Sequence, residues 1–182
     1  MSAPFYKIHR NLLLITLWEL ILAKCFILEY CVQIYAVPIN SALYVWTLSI
    51  TMAAAATFVF LRLHAQQRHG QASARRIMTT WGLCGAGGLM ILAAGFLLQR
   101  VPPFTIPAGL AVCIGLGYAS HGRGAKNPVY IWSAIGWWIG AAILFAQNSV
   151  LNLLIFGLLI LAFSVSPSVL LMLRHRHRPK AT

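Results

Sequence analysis

Glu19, Lys24 and Glu29 all fall inside one apolar stretch, residues 11–38, NLLLITLWELILAKCFILEYCVQIYAVP. Glu19 and Glu29 are the only carboxylate side chains of the 182 residues, and Lys24 is the only basic residue within an apolar run. An ionised side chain at the centre of a bilayer costs about 2.5–3.5 kcal/mol on insertion scales. It therefore normally turns toward a bundle interior or a wet cavity and marks a site for an ion, a proton or a polar solute.

With about 100° of rotation per residue, Glu19 and Lys24 stand about 140° apart on a helix, and Glu29 lies about 80° from Glu19 on the other side. They form no ladder and cannot all be satisfied within their own helix. A stripe at three- and four-residue steps runs through Thr16, Glu19, Ala23, Phe26, Tyr30 and Gln33. It collects a hydroxyl, a carboxylate, a phenol and an amide on one face, with Glu29 one turn before Gln33. Glu19, Lys24, Glu29, Tyr30 and Gln33 are accordingly the expected solute- or ion-binding residues. In the competing arrangement residues 7–16 lie along the membrane surface, the span begins near Trp18, Glu19 sits at headgroup level and Lys24 snorkels.

The rest of the chain offers little covalent chemistry. It has no H-E-x-x-H, no G-x-S-x-G and no aspartate, so a lipid-modifying or redox enzyme is left as a third and weaker class, with few acids and poorly placed histidines to support it. Cys25, Cys31, Cys84 and Cys113 lie in apolar runs without metal-ligand spacing and read as packing residues. Of the histidines only His64 and His121 approach the placement a membrane haem requires. No metal or cofactor is expected.

These residues must be positioned by membrane-spanning helices. The chain is 60% apolar and 9% charged, with a mean hydropathy of +0.78, which lies outside the range of a water-soluble domain. About 20 apolar residues cross a bilayer core, and six stretches qualify: 12–36, 42–63, 77–98, 104–120, 129–147 and 150–173. The expected fold is one all-α polytopic membrane bundle. Lys7 and Arg10 ahead of the first run resemble the start of a signal peptide, but Glu19 and Lys24 interrupt that run and no cleavage site follows, so the segment is expected to be retained.

Pro38 closes the first span, Asn40-Ser41 caps the second, Pro102-Pro103 parts the third from the fourth, and Asn127-Pro128 opens the fifth. The short turn Gln147-Asn148-Ser149 makes the fifth and sixth an antiparallel hairpin. Twelve Lys and Arg residues fall on one side of this scheme and only Arg100 on the other, so both termini are expected in the cytoplasm, most simply at a bacterial inner membrane. The net charge of +12 is thus a topology signal rather than a nucleic-acid footprint.

Gly82, Gly85 and Gly88, then Gly109, Cys113 and Gly117, then Gly136 and Gly140 supply small faces for close helix packing. Ser166 and Pro167 mark a bend in the last span and a candidate hinge or gate, with Ser164 and Ser168 available to satisfy freed backbone. Arg123 and Lys126, in the glycine-rich basic loop 120–127, are candidate lipid-headgroup contacts, as is the basic tail 174–182.

Two functions follow. The first is a transporter, permease or substrate-binding membrane component that takes a small solute or ion at the first helix. The second is a non-catalytic subunit or assembly factor whose charged first helix pairs with other membrane subunits or with a second copy of the chain. In size and helix number the chain is similar to the substrate-binding membrane components of energy-coupling-factor vitamin transporters. The Ala-x-x-x-Ala coupling motif that this similarity implies for the first helix does not occur there.

Overall fold

The computed structural model describes residues 3–36, 39–63, 72–98 and 102–176, and these are all helical apart from short turns. Helices α1 (Ala3–Ile34), α2 (Ile39–Leu63) and α3 (Ala72–Phe96) are followed by α4 (Ile106–Ala125) and α5 (Pro128–Gln147). The last rod is α6 (Leu151–Ile160), a wider π turn (Leu161–Val165) and α7 (Ser166–Arg176), joined without a break. Pro38, most of the loop that contains His64 and Arg68, Arg100 and the tail beyond Arg176 lie outside the described residues.

Among the described residues three helices are long and apolar enough to cross a membrane: Pro103–Ala125, Pro128–Gln147 and Leu151–Arg174. Shorter apolar stretches occupy Tyr44–Val59 and Thr79–Gly95. Helix α1 runs unbroken from Ala3, so no separate surface helix precedes Trp18. At 1.5 Å per residue its 32 residues extend about 48 Å, longer than a hydrocarbon core about 30 Å thick.

Several boundaries follow from local chemistry. Asn127 accepts a hydrogen bond from the Val129 amide at 3.1 Å and Pro128 takes the first helical position, where its missing N–H costs nothing. Pro107 sits in the first turn of α4 in the same way. Asn148, with φ of 38°, turns the chain left-handed between α5 and α6 and makes the tight hairpin. Two expectations shift. Helix α2 begins at Ile39, so Asn40 and Ser41 fall inside its first turn. Helix α4 continues to Ala125, so most of 120–127 is helix; the chain leaves it through Lys126, left-handed at φ 50°, whose amide bonds back to Gly122 and Arg123. Basic side chains at a helix C-terminus oppose its negative dipole end, which favours this extension.

The bundle is built around α1, α4, α5 and the α6–α7 rod, with α2 packed chiefly on α1 and α3 chiefly on α4. Its core alternates small and large side chains: Ala23, Ala108, Ala111, Ala134 and Ala141 against Tyr118, Trp137, Leu144 and Phe156. Phe26 and Trp137 both meet Phe156 edge-on, with ring centroids 4.6 and 5.5 Å away. Asn152, fully buried, donates 2.7 Å hydrogen bonds to the carbonyls of Phe104 and Leu144, tying the turn before α4 to the end of α5.

Glycines set the closest approaches. A methyl group at Gly136 would run into the Phe163 ring, and one at Gly140 would meet Leu159 at 2.5 Å. Gly109 faces Ile91, Gly117 faces Trp81 and Gly88 faces Leu110. Gly82 and Gly85 differ from the sequence expectation: they face open space and hold nothing together. Substituting Gly136→Val should destabilise the bundle by about 1–3 kcal/mol, the usual cost of overpacking. Gly85→Ala should be neutral or stabilising by up to about 1 kcal/mol. Reversible unfolding in mixed micelles checks the pair, and equal effects at the two positions would contradict this packing.

Candidate functional site

Glu19 reaches across the bundle rather than along its own helix. Its Oε1 accepts a 2.8 Å hydrogen bond from the Tyr118 hydroxyl on α4, and its Oε2 accepts a 3.4 Å bond from Ser168 on α7. Both partners are neutral hydroxyls. The Glu19 side chain is half-buried, whereas Tyr118 and Ser168 are buried.

The packing around these three residues explains how they meet. Helix α1 lies against α6, the π turn and α7, and α6 comes close because Gly157 stands against Ile27 and the Ala23 carbonyl. Helices α1 and α4 share no extended backbone contact and are bridged here by side chains. The Tyr118 ring is held in turn by its neighbours. Trp81 of α3 meets it edge-on at 5.3 Å, and Tyr130 of α5 lies 6.2 Å away. His121, one turn further along α4, stands edge-on to Tyr130 at 4.4 Å, and its buried Nδ1 has no hydrogen-bond partner among the described residues.

A second polar layer lies deeper. Trp137, fully buried, donates its indole N–H to Ser164 Oγ at 3.2 Å. Ser164 belongs to the π turn, where the Ser166 amide and hydroxyl both bond to the Leu161 carbonyl. Pro167 has no N–H to continue the ladder, and the wider turn accommodates its ring next to the preceding backbone. Single π turns of this kind recur at functional sites. The carboxyl of Glu19 is thus bonded through Ser168 to α7, in whose first turn the proline lies.

Lys24 and Glu29 are placed differently. Lys24 donates to Ser49 of α2 at 2.9 Å while its side chain remains largely exposed. Glu29 accepts from the Trp46 indole of α2 and from Gln33 of its own helix, each at 3.1 Å. Together with Trp18 donating to Thr57 at 2.9 Å, these bonds pin α1 and α2 as an antiparallel pair. Tyr30 is half-buried and Gln33 exposed, further along α1. The five residues expected at one site therefore divide: Glu19 enters the bundle, Lys24, Glu29 and Gln33 serve the edge toward α2, and Tyr30 contacts neither Glu19 nor Lys24 by any hydrogen bond that the described residues make. Arg123 and Lys126 are exposed at the end of α4, apart from both groups.

Sequence reasoning passed over Tyr118, Tyr130, Trp81 and Trp137. The signal for Tyr118 was present: the phenol lies between Gly115 and Gly122, each of which sits tightly against α5, and one residue after Gly117, which faces α3. A polar-tipped ring amid small residues on a buried helix has to find a partner elsewhere. Its partner could not be read from spacing, because residues 19 and 118 are 99 positions apart.

No protein-family model matches the chain, and comparisons with curated proteins and with solved structures return no match.

The Glu19–Tyr118 bond predicts an energetic coupling. In a double-mutant cycle with Glu19→Ala and Tyr118→Phe, the interaction energy should reach about 1–3 kcal/mol, as for bonded neighbours. Glu29→Ala paired with Tyr118→Phe should be additive within about 0.5 kcal/mol. Additivity of the first pair would show that the two side chains do not meet.

Proposed function

We propose that this chain is a six-span integral membrane protein of a bacterial inner membrane that moves a small solute or ion, as a permease or as the substrate-binding membrane component of a transporter. Glu19 is the counter-charge of the transported species, and the Ser166-Pro167 region is the part that moves. The observation that carries this reading is the inward orientation of Glu19 onto Tyr118 and Ser168, beside the π turn. An intramembrane carboxyl turned into the bundle is the arrangement expected of an ion or substrate pathway.

The six-span topology takes α1, α2 and α3 as further crossings beside the three apolar rods. Its support is the alternation of basic residues, twelve on one side against one on the other, which argues for both termini in the cytoplasm. Large exposed apolar side chains such as Trp132, Ile139, Leu158 and Leu170 suit contact with acyl chains. Under this topology Ser168 lies six residues, about 9 Å, inside Arg174, so the Glu19 site belongs to the cytoplasmic half.

The second reading, a subunit or assembly factor of a larger membrane complex, is favoured by Lys24. An exposed ammonium whose described partner is a single serine hydroxyl would gain from a carboxylate on another chain.

Two measurements test the proposal. Alkaline phosphatase fused after Gln147 should be active, and fused after Arg123 or Arg176 inactive. The opposite pattern would reverse the orientation. In a thermal-shift screen, a soluble metabolite should raise the melting temperature of the wild type but not of Glu19→Gln. Proteoliposomes should take up that compound, with at least a tenfold loss in Glu19→Gln and none in Gly85→Ala. If the protein is unstable alone and co-purifies stoichiometrically with another membrane protein, the subunit reading replaces this one.

A further inference from the structure

The Glu19 site also carries information on what it binds. The carboxyl is met by two hydroxyls, one of them carried by the Tyr118 ring, which Trp81 and Tyr130 flank in turn. Trp81 and Tyr130 are only half-buried, and α1 and α4 are bridged at this level by side chains rather than by close backbone packing. The site therefore lies where α1 and α4 meet chiefly through side chains while α1 stays packed on α6.

Its ligand chemistry is selective. An anion would face the carboxylate. A hard metal ion takes six or more oxygen ligands, several of them usually carboxylates or carbonyls; among the described residues no group of three His, Cys, Asp or Glu side chains converges here. Aromatic faces carry negative potential and attract a diffuse positive charge, most strongly when it is desolvated. One carboxylate supplies one compensating charge. The protons of Tyr118 and Ser168 can turn away from Glu19 when a cation takes their place, the serine hydroxyl by rotating about its C–O bond and the phenol by flipping between its two in-plane positions.

We propose that the Glu19 site binds an organic monocation of the quaternary-ammonium or phosphonium type, with Glu19 as its counter-charge and the rings of Trp81, Tyr118 and Tyr130 as its walls. This rests on the transport reading and narrows its substrate class. The cation enters between α1 and α4, displacing the Tyr118 hydroxyl from Oε1 and leaving the Trp137–Ser164 bond beneath intact.

The test uses the purified full chain in detergent with three probes: tetramethylammonium, tetraphenylphosphonium, and tetraphenylborate as the shape of the second with the charge reversed. At least one cation should bind saturably with a stoichiometry of one, and tetraphenylborate should fail to displace it. Glu19→Gln should weaken binding at least tenfold, Trp81→Leu should weaken it several-fold, and Gly85→Ala should leave it unchanged. If Glu19→Gln does not yield a monodisperse protein, Glu19→Asp and Trp81→Leu carry the test, each with a several-fold loss expected. Binding of neither cation, displacement by tetraphenylborate, or full affinity in Glu19→Gln would overturn the proposal. If the cations fail while Glu19-dependent uptake of a neutral or anionic solute persists, the cation class falls and the transport reading stands. If substitution of Glu19 alters neither binding nor uptake, both fall.

Discussion

A carboxyl group surrounded by apolar side chains has to be met by hydrogen-bond donors that the protein supplies, and for Glu19 these come from two helices distant in sequence. That requirement fixes the rotation of α1 about its axis. Once Glu19 points at α4 and α7, Ala23 and Phe26 fall against α6, and Trp18, Lys24 and Glu29 fall toward α2. The side chains of α1 then fill two different roles. One face enters the bundle and the other binds a flanking helix.

The remaining helices meet by a different principle. Where hydrocarbon surrounds the protein, burying apolar surface gives little drive for helices to associate, so close van der Waals contact must supply it. Gly136 and Gly140 against Phe163 and Leu159, and Gly115 and Gly122 against Trp138 and Ile131, bring α5 onto its two neighbours at distances that a methyl group would forbid. The polar bonds of Ser164 and Asn152 lie inside that tight region. The α4–α5–α6 side is closely packed, whereas α1 and α4 are bridged by side chains, and Glu19 forms that bridge.

Much of this was legible in the sequence, and the limits have physical causes. Local chemistry reads well: Asn127-Pro128 and the Asn148 turn act over a few residues, and both stand where their residue types demand. The glycine faces of α4 and α5 were readable because small residues repeat at helical spacing, while Gly82 and Gly85 share that spacing and meet nothing. Spacing tells which residues share a face, but not whether a neighbour covers it. For the same reason one stripe on α1 was expected to form one site, when Glu19 and Gln33 lie about 21 Å apart along the helix and serve different neighbours. The far end of α4 has the glycines and basic residues of a loop and yet is helical. The helix persists there because lysine and arginine suit its C-terminal dipole. Tyr118 was missed because a single phenol announces no partner until the fold brings one.

The site exists only if Glu19 points into the bundle. The chain has two glutamates and no aspartate, so labelling with carboxyl-13C glutamate gives two side-chain signals in bilayers, and Glu19→Gln assigns them. With tyrosine labelled at its ζ carbon, magic-angle-spinning NMR should show a through-space cross-peak from Glu19 that disappears in Tyr118→Phe, and a paramagnetic label on the lipid acyl chains should leave the Glu19 signal sharp. A Glu19 signal broadened by that label, with no tyrosine cross-peak, would mean that the carboxyl faces the lipid and that the bundle has no such site.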